Sequence, residues 1–384
     1  MDATTLQVER SEIALAQNPV LEQVTLLHDY ACDHQEQGQF AAAETLALQA
    51  LALLAPLDAS VLEPMTNVLL NLAGILEDGG QYEPAAQLCR LAVASVAAAP
   101  LRVVCLNQLA NLTRRQGHYT QAEMLFRQAL ATAEETKAPN VYEIATALNG
   151  LGIVYKYQGR YDEAEPLYHR ALQITEHALG PDHPDVASIY HNLGGLEHAR
   201  GRYSVGEPLA RRAVAIREQA LGAHHPDVAA DKAALAALLD GQAKFEEAIE
   251  LYQTAIAVFK ETFGPSHYEL AVNYNNLAAI YCAQGNDNQA EQLYQQALAI
   301  KEAVLGCNHL EVAITLNNLA VLYKTQQRYA EAEGLLRRSL AIFEQTLGTT
   351  HPHVKASQAN YAQLLQEWRA TDVLTFAHKR EVYS

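Results

Sequence analysis

The sequence has few of the residues on which several classes of protein depend. Only 5 of its 384 residues are cysteine, and they are scattered without a C-x-x-C pair, which argues against a zinc ribbon or a disulfide framework. This cysteine usage fits a reducing compartment, so we expect a cytoplasmic protein. Lys and Arg total 27 against 44 Asp and Glu, a net charge of −17 that argues against nucleic acid as a direct partner.

Long apolar runs and catalytic signatures are missing too. No apolar run approaches the roughly 20 residues of a membrane span, so we expect no membrane insertion. The first residues lack the basic and apolar regions of a secretory signal. There is no phosphate-binding G-x-x-x-x-G-K-[ST], no G-x-S-x-G, no H-E-x-x-H and no dinucleotide fingerprint. We therefore predict that the protein is not an enzyme and uses no cofactor.

What the chain does contain is internal repetition of a helix pair. A small residue of the first helix recurs at Ala31, Ala73, Ala110, Gly152, Gly194, Ala236, Ala278 and Ala320, with differences of 42, 37, 42, 42, 42, 42 and 42. A small residue of the second helix keeps the same differences at Ala43, Ala85, Ala122, Ala164, Gly206, Ala248, Ala290 and Ala332. Two positions in one phase indicate eight tandem helix pairs, each of which needs its neighbours to bury its apolar face.

The fourth pair carries a known signature in order and spacing. Its residues are Leu151, Gly152, Tyr155, Gly159, Tyr161, Ala164, Tyr168 and Ala171. With the period of 42 and the linker LGPDHPDVA at 179–187, the chain resembles the tetratricopeptide repeat (TPR) arrays of the kinesin light chain type. This resemblance implies an all-α fold, an α-solenoid of about eight helix-turn-helix pairs in a right-handed superhelix. We divide the chain into an N-terminal extension (1–19), eight tandem repeats (20–350), a capping helix (351–368) and a C-terminal tail (369–384).

Five histidines also recur every 42 residues, which suggests metal binding at first. They are His183, His225, His267, His309 and His351. Zinc ligands lie about 2.0–2.1 Å from one ion, whereas equivalent residues of successive pairs are two helix diameters apart. We therefore predict no metal site, and we expect each histidine to cap the start of a helix.

The inner stripe of the first helices is the candidate binding surface. Its positions lie three and two residues before the small residue and one, four and five after it. The candidate peptide-binding residues there are Asn107, Asn111, Arg114, Arg115, Asn149, Lys156, Tyr157, His191, Asn192, His198, Asn275, Asn276, Asn317, Asn318 and Lys324. Pair six contributes only Ala233, Ala234 and Asp240, so a groove continuous in the family sense is in doubt.

Two interpretations of the asparagines stay open. Asparagine is unfavourable inside helices, so its repetition there needs a reason. The amides either hold an extended peptide backbone or form inter-helix hydrogen bonds that set the repeat twist. The kinesin light chain groove takes short cargo peptides, some with an aromatic residue flanked by acidic ones. By that resemblance, Asn192, Asn276 and Asn318 are the positions most like the groove asparagines of the family.

The three cations of the central stripe indicate a binding site more specifically than the asparagines do. Arg114, Arg115 and Lys156 lie together on an otherwise acidic chain, although a solvated charged face would look the same. We hypothesise a non-enzymatic adaptor that binds a peptide segment of a partner protein, with a preference for an acidic segment. The alternatives are a structural scaffold that self-associates through its ends or convex face, and a regulatory partner of a separate enzyme. Monomer and dimer are both compatible with the sequence.

Overall fold

The computed structural model describes residues 18–37, 39–136 and 140–382, and in these ranges it contains seventeen α-helices and no strand. The helices are α1 (Pro19–Glu36), α2 (Phe40–Leu54), α3 (Thr66–Asp78), α4 (Tyr82–Ser95), α5 (Ala99–Arg115), α6 (Tyr119–Glu134), α7 (Val141–Tyr157), α8 (Tyr161–Leu179), α9 (Pro184–Ala199), α10 (Tyr203–Leu221), α11 (Pro226–Asp240), α12 (Phe245–Phe263), α13 (Tyr268–Ala283), α14 (Asp287–Leu305), α15 (Leu310–Thr325), α16 (Tyr329–Leu347) and α17 (Pro352–Val382). Two 3₁₀ segments, Ala59–Val61 and Glu63–Met65, lie between α2 and α3. Helices α1 to α16 form the eight predicted pairs, which confirms the all-α solenoid.

The chain forms two compact units. The first unit comprises Met1–Tyr157 and Pro166–Ala178, and the second comprises Gln158–Glu165 and Leu179–Ser384. The first unit thus holds α1 to α7 and most of α8. The second unit holds α9 to α17. Each unit buries its own apolar core, with Leu54, Leu72 and Leu88 among the core residues of the first.

The repeated histidines cap helix starts, as predicted. In each case the ring Nδ1 accepts a hydrogen bond from the backbone N–H two residues later, at 3.1 to 3.3 Å. The bonds satisfy one of the free N–H groups at each helix start. Pro184, Pro226 and Pro352 are the first residues of their helices, where the missing N–H costs nothing.

Glycines end the second helices of the later pairs. Gly222, Gly264, Gly306 and Gly348 follow α10, α12, α14 and α16, and all have φ between +77° and +86°. Residues with a side chain seldom adopt this left-handed conformation, whereas glycine does so at little cost. In the later pairs, local residues therefore determine where one helix ends and the next begins, and these pairs repeat every 42 residues.

Small residues allow the helices to pack closely. A Cβ on Gly152 of α7 would lie 2.8 Å from the ring of Tyr168 in α8. The Tyr168 ring is fully buried, so it has little room to move away. In the second unit, a Cβ on Gly206 would lie 2.6 Å from Leu238 Cδ2. Gly152 and Gly206 are therefore required by the packing.

The segments before and after the eight pairs were predicted as an N-terminal extension, a capping helix and a tail. Residues 1–17 of the predicted N-terminal extension lie outside the described residues. At the other end, α17 runs without a break from Pro352 to Val382. One helix thus covers the segments that we predicted as a capping helix and a tail, and the expected boundary at 368/369 falls inside it. Val354 and Leu364 of α17 are buried, so this helix does cover the last pair.

Candidate functional site

All fifteen candidate residues lie on the first helices of their pairs. In the first unit, α5 carries Asn107, Asn111, Arg114 and Arg115, and α7 carries Asn149, Lys156 and Tyr157. In the second unit, α9 carries His191, Asn192 and His198, α13 carries Asn275 and Asn276, and α15 carries Asn317, Asn318 and Lys324. Their environments differ widely, and the difference separates packing residues from candidates for binding.

Arg114, in the last turn of α5, stands out because its side chain has no hydrogen-bond or ion-pair partner among the residues that the structure describes. Its Nε is buried. Burial and the adjacent charge of Arg115 lower the pKa of Arg114, whereas the neighbouring Tyr157, Tyr119 and Tyr168 act in the opposite direction. The site therefore holds a half-buried guanidinium among tyrosines, with its hydrogen-bonding capacity unused.

Arg115 differs from its neighbour because it has an acidic partner. Its Nε lies 2.9 Å from Glu77 Oε1, and its guanidinium lies 6.0 Å from the centre of the Tyr82 ring. Burial raises the pKa of Glu77 in spite of this ion pair. The Arg115 side chain is half exposed. It can add positive charge beside Arg114 without giving up Glu77.

An aromatic surface adjoins these cations. The rings of Tyr119 and Tyr157 stack with centroids 5.4 Å apart, and Lys156 Nζ lies 5.2 Å from the centre of the Tyr157 ring. Stacked tyrosines present apolar faces and polar edges at one place. Arg114, Arg115, Lys156, Tyr119 and Tyr157 together are called the cationic cluster below. Arg114 and Lys156 both lie beside Tyr157, and Arg115 follows Arg114 in α5.

The asparagines of the first unit fall into two groups. Asn107 is 3% exposed, and its Nδ2 donates to the Glu143 carbonyl at 3.0 Å and to Glu143 Oε2 at 2.8 Å. This amide joins α5 to α7 and is not open to a ligand. Asn111 and Asn149 are only partly buried, so they remain at the surface of the stripe.

In the second unit, amides link one first helix to the next. Asn318 Nδ2 donates to Asn275 Oδ1 at 3.3 Å, and Asn275 Nδ2 donates to Asn276 Oδ1 at 3.2 Å. One repeat further, Asn360 Nδ2 donates to Asn317 Oδ1 at 3.2 Å. These bonds give Asn275, Asn276, Asn317 and Asn318 a role in packing, which does not exclude a role in binding for Asn276 and Asn318.

His191 belongs to a buried charge network that the sequence did not reveal. Its Nδ1 donates to Asp231 Oδ1 at 2.8 Å, and the same oxygen accepts from Arg217 Nη1 at 2.9 Å. Asp231 is fully buried, and Arg217 Nη2 donates to Ser188 Oγ as well. One feature of the sequence could have revealed this network. Asp231 lies five residues before the small residue Ala236, and at the equivalent position α13, α15 and α17 carry a neutral polar residue instead of a charged one.

The remaining candidates have local partners. The His198 ring meets the Tyr203 ring edge-on at 5.4 Å between centroids. Lys324 is largely buried, and its Nζ lies 3.9 Å from Glu367 Oε1 of α17. Lys324 therefore helps to hold α17 against the last pair, a role that the sequence did not indicate.

Two general features bear on the kind of site to expect. Among the described residues, no three His, Cys, Asp or Glu side chains are placed so that they could hold a metal ion together. No described helix combines the length and apolar character that crossing a membrane requires.

Comparison with known proteins supports the resemblance. The tetratricopeptide repeat profile matches residues 64–135, 143–219, 185–261, 234–303, 269–345 and 311–372. No curated protein is similar enough in sequence to count as a match. The matched segments together cover most of α3 to α17, so this architecture is that of a protein-interaction module.

Solved structures include similar repeat proteins. Repeats from a Podosopora anserina protein described as a kinesin light chain are 26% identical, over 54% of this chain and 98% of that one, with a TM-score of 0.40. A Rap protein in complex with Competence and Sporulation Factor is 16% identical over 91% of this chain and 99% of that one (TM-score 0.57). The apo form of RapI is 15% identical, over 73% and 98%, with a TM-score of 0.56. The two Rap structures share the fold, and the profile matches over most of the chain show that it belongs to the tetratricopeptide repeat family.

Proposed function

We propose that this protein is a non-enzymatic adaptor and that the cationic cluster binds an acidic peptide segment of a partner protein. The observation that carries the proposal is the half-buried guanidinium of Arg114, which has no hydrogen-bond or ion-pair partner in the described part of the chain. Other described arginines of the first unit use their donors within the chain: Arg90 pairs with Glu83, Arg127 pairs with Glu123, and Arg102 donates to the Val93 and Val96 carbonyls. The Arg114 side chain has no such partner among the described residues, although its charge, like that of Arg115, acts to lower the pKa of the nearby Glu77.

The energetics favour a charged ligand at this place. A guanidinium offers five N–H donors in a planar fork that matches a carboxylate. Hydrogen bonds to charged groups contribute about 1.5–3 kcal/mol, and partial burial of Arg114 reduces the screening by water. A carboxylate that reaches Arg114 would satisfy donors that the folded chain leaves unsatisfied. The partly exposed Tyr157 ring provides an apolar surface for an adjoining residue of the same peptide, and its stacking on the buried Tyr119 ring holds it in place.

A structural role explains only part of this arrangement. Arg114 and Arg115 both lie in the last turn of α5, where positive charge stabilises the negative end of the helix dipole. That contribution is typically 0.3–1 kcal/mol and needs no burial. It accounts for the sign of the charge but leaves the buried, unpaired Nε of Arg114 unexplained.

The proposal is tested with peptide pools of fixed chemistry. We would prepare capped, fluorescently labelled octapeptides whose central residue is Glu or Gln and whose other positions vary among uncharged residues. The chain and the double variant Arg114→Glu with Lys156→Glu are titrated with both pools near physiological salt. The matched control is Arg90→Glu with Arg170→Glu, which changes the charge of the same unit equally at two exposed positions.

We expect the Glu pool to bind the parent and the control at least tenfold more tightly than the Gln pool. The double variant should lose this preference while its thermal midpoint stays close to that of the control. Equal binding of the two pools by the parent would overturn the proposal. So would an equal loss in the control variant, because the effect would then be one of net charge alone.

A second candidate is self-association, which exposed apolar residues of the first pair favour. Leu26 and Tyr30 lie one turn apart on α1 and are 55% and 52% exposed, and Phe40 at the start of α2 is 59% exposed. Exposed apolar patches often mark contacts between proteins. Light scattering across a hundredfold range of concentration tests this function. A mass that rises with concentration, and returns to the monomer in Leu26→Asp with Tyr30→Asp, would support it.

A further inference from the structure

The inner stripe of the first unit changes sign between its second and third pairs. On α1 and α3 the Asp, Glu, Lys and Arg residues of the stripe are all acidic: Asp29, Glu36, Glu77 and Asp78. On α5 and α7 they are all basic: Arg114, Arg115 and Lys156. The two groups meet in the ion pair between Glu77 and Arg115. The stripe therefore has a negative end and a positive end within one unit.

Contacts of constant register show that the stripe is one continuous surface over α1, α3 and α5. Gln35 Nε2 donates to Asp78 Oδ2 at 2.9 Å, and Arg115 Nε lies 2.9 Å from Glu77 Oε1. In both contacts, the residue five after the small residue of one helix meets the residue four after it in the previous first helix. A second row of contacts joins the same helices at the positions two and three before the small residue: Asn71 with His28, and Gln108 with the Leu70 carbonyl.

Three exposed acids of the negative end, Asp29, Glu36 and Asp78, are called the acidic surface below. In the described part of the chain, no Lys or Arg forms an ion pair or hydrogen bond with them, and Asp29 has only His28 beside it, at 3.0 Å. Glu36 and Asp78 are the last residues of α1 and α3, where the helix dipole disfavours negative charge. Helix stability therefore does not account for these charges, whereas a basic ligand would.

We propose that the partner segment carries both charges, with a carboxylate on the cationic cluster and a Lys or Arg side chain on the acidic surface. This inference rests on the peptide-binding function proposed above and adds the second half of the ligand. A metal ion does not fit in place of the basic side chain, because no three acidic, His or Cys groups among the described residues are placed to hold one.

The helix spacing gives the distance between the two charges of the ligand. Packed helices lie about 8–10 Å apart, so α3 is one spacing and α1 two spacings from α5, which carries Arg114. The acidic surface is therefore about 8–20 Å from that guanidinium. An extended chain rises about 3.3 Å per residue, so the basic residue should lie about three to six residues from the carboxylate.

The test uses labelled, capped dodecapeptides that contain one Glu among uncharged residues. In the first peptide the fifth residue from Glu is Lys, and in the second it is Gln. The third has the composition of the first, but its Lys is next to Glu and would lie beside the cationic cluster. A fourth peptide has Gln in place of both charged residues. Each is made with Lys or its replacement before and after Glu, because the charges do not determine the direction of the bound chain.

The peptides are titrated near physiological salt against the full chain and two variants. The first variant neutralises the acidic surface by Asp29→Asn, Glu36→Gln and Asp78→Asn, which keep a side-chain oxygen as hydrogen-bond acceptor. The matched control removes three exposed charges of the same unit outside the stripe: Glu22→Gln, Glu134→Gln and Glu135→Gln. Thermal midpoints of all three proteins show whether a loss of binding reflects unfolding.

We expect the parent and the control to bind the first peptide at least threefold more tightly than the second in one of the two directions, as for exposed ion pairs. The neutralised variant should bind both alike, and the third peptide should bind no better than the second. The inference is wrong if the parent binds the first and second peptides alike, if the third gains as much as the first, or if the control loses the preference. The second and fourth peptides report on the adaptor function separately: equal binding of these two contradicts that function, whereas loss of the Lys preference alone contradicts only the inference.

Discussion

Lys301 Nζ lies 3.0 Å from Glu311 Oε2 and joins α14 to α15 through a buried ion pair. Lys301 is 1% exposed, and its ammonium also donates to Thr315 Oγ1 at 3.2 Å. Arg217 and Asp231 form the corresponding contact between α10 and α11. The second unit therefore uses charge, as well as apolar packing, to hold successive pairs together.

Removal of one partner of the Lys301–Glu311 pair should lower the free energy of unfolding more than removal of both. Lys301→Met leaves the Glu311 carboxylate shielded and uncompensated, which typically costs about 3–5 kcal/mol. Lys301→Met with Glu311→Gln should lose clearly less, because no charge is left without a partner. Urea unfolding of the parent, the single variant and the double variant measures this difference. A double variant as unstable as Lys301→Met would show that the pair contributes by shape alone.

The same pair should make stability depend on pH. Burial is the largest single effect and acts to raise the pKa of Glu311, but the charge and hydrogen bond of Lys301, together with His309 and His353, outweigh it and lower the pKa below its usual range. A carboxylate with a lowered folded pKa contributes stability above its unfolded pKa of about 4.3, and loses it as the pH falls through the folded value.

The pH dependence is measured by comparing the parent with Glu311→Gln. The parent should be more stable at pH 7, and the difference should shrink between about pH 5 and the folded pKa. Unfolding free energies at several pH values for both proteins give this difference directly. A difference that stays constant down to pH 3 would contradict the assigned ionisation.

Alanine should have opposite effects at two helical glycines. In Gly152→Ala the new methyl meets the buried Tyr168 ring at 2.8 Å, so we expect a loss of about 1–3 kcal/mol. In Gly74→Ala nothing lies within 4 Å, and the residue is inside α3, so we expect a gain of about 0.5–1 kcal/mol. Thermal or urea unfolding of both variants checks the signs. Equal effects at the two sites would mean that the tight contact at Gly152 relaxes without cost.

Replacing two of the candidate asparagines by alanine should show which of them stabilises the fold and which is a surface residue that could bind a ligand. Asn275 is 5% exposed and bonded to both Asn276 and Asn318, so Asn275→Ala should cost about 1–2 kcal/mol of stability. Asn111 is partly buried and has no side-chain hydrogen bond to any described residue, so Asn111→Ala should change stability by less than about 0.5 kcal/mol. Unfolding curves decide this. A large loss of stability in Asn111→Ala would show that Asn111 is a packing residue.

The helices were predictable because local chemistry determines where they begin and end. His309 caps α15 by accepting a backbone N–H, and Gly348 ends α16 with φ of +77°, and both act within a few residues of the chain. Because the repeat period is fixed, the helix positions of one pair then predict those of the neighbouring pairs. The same logic predicted Gly152, since only a small residue fits against Tyr168.

The environments of the inner residues were not predictable in the same way. Asn107 and Asn111 share one helix and one residue type, yet only the first reaches Glu143 on α7. That distinction depends on the angle between successive pairs, which the period does not encode. Asp231 was missed because its partners, Arg217 and His191, lie on α10 and α9. Helix α17 continues beyond 368 without a local stop signal, so its length could not be read from the sequence.

The central claim is that Arg114 binds a carboxylate of a peptide partner. The most direct measurement is a cycle in which the parent and Arg114→Gln are each titrated with the Glu and Gln peptide pools. We predict that Arg114→Gln weakens binding of the Glu pool by about ten- to a hundredfold, in keeping with 1.5–3 kcal/mol, and leaves the Gln pool unchanged. An equal effect on the two pools, or none on either, would contradict the account.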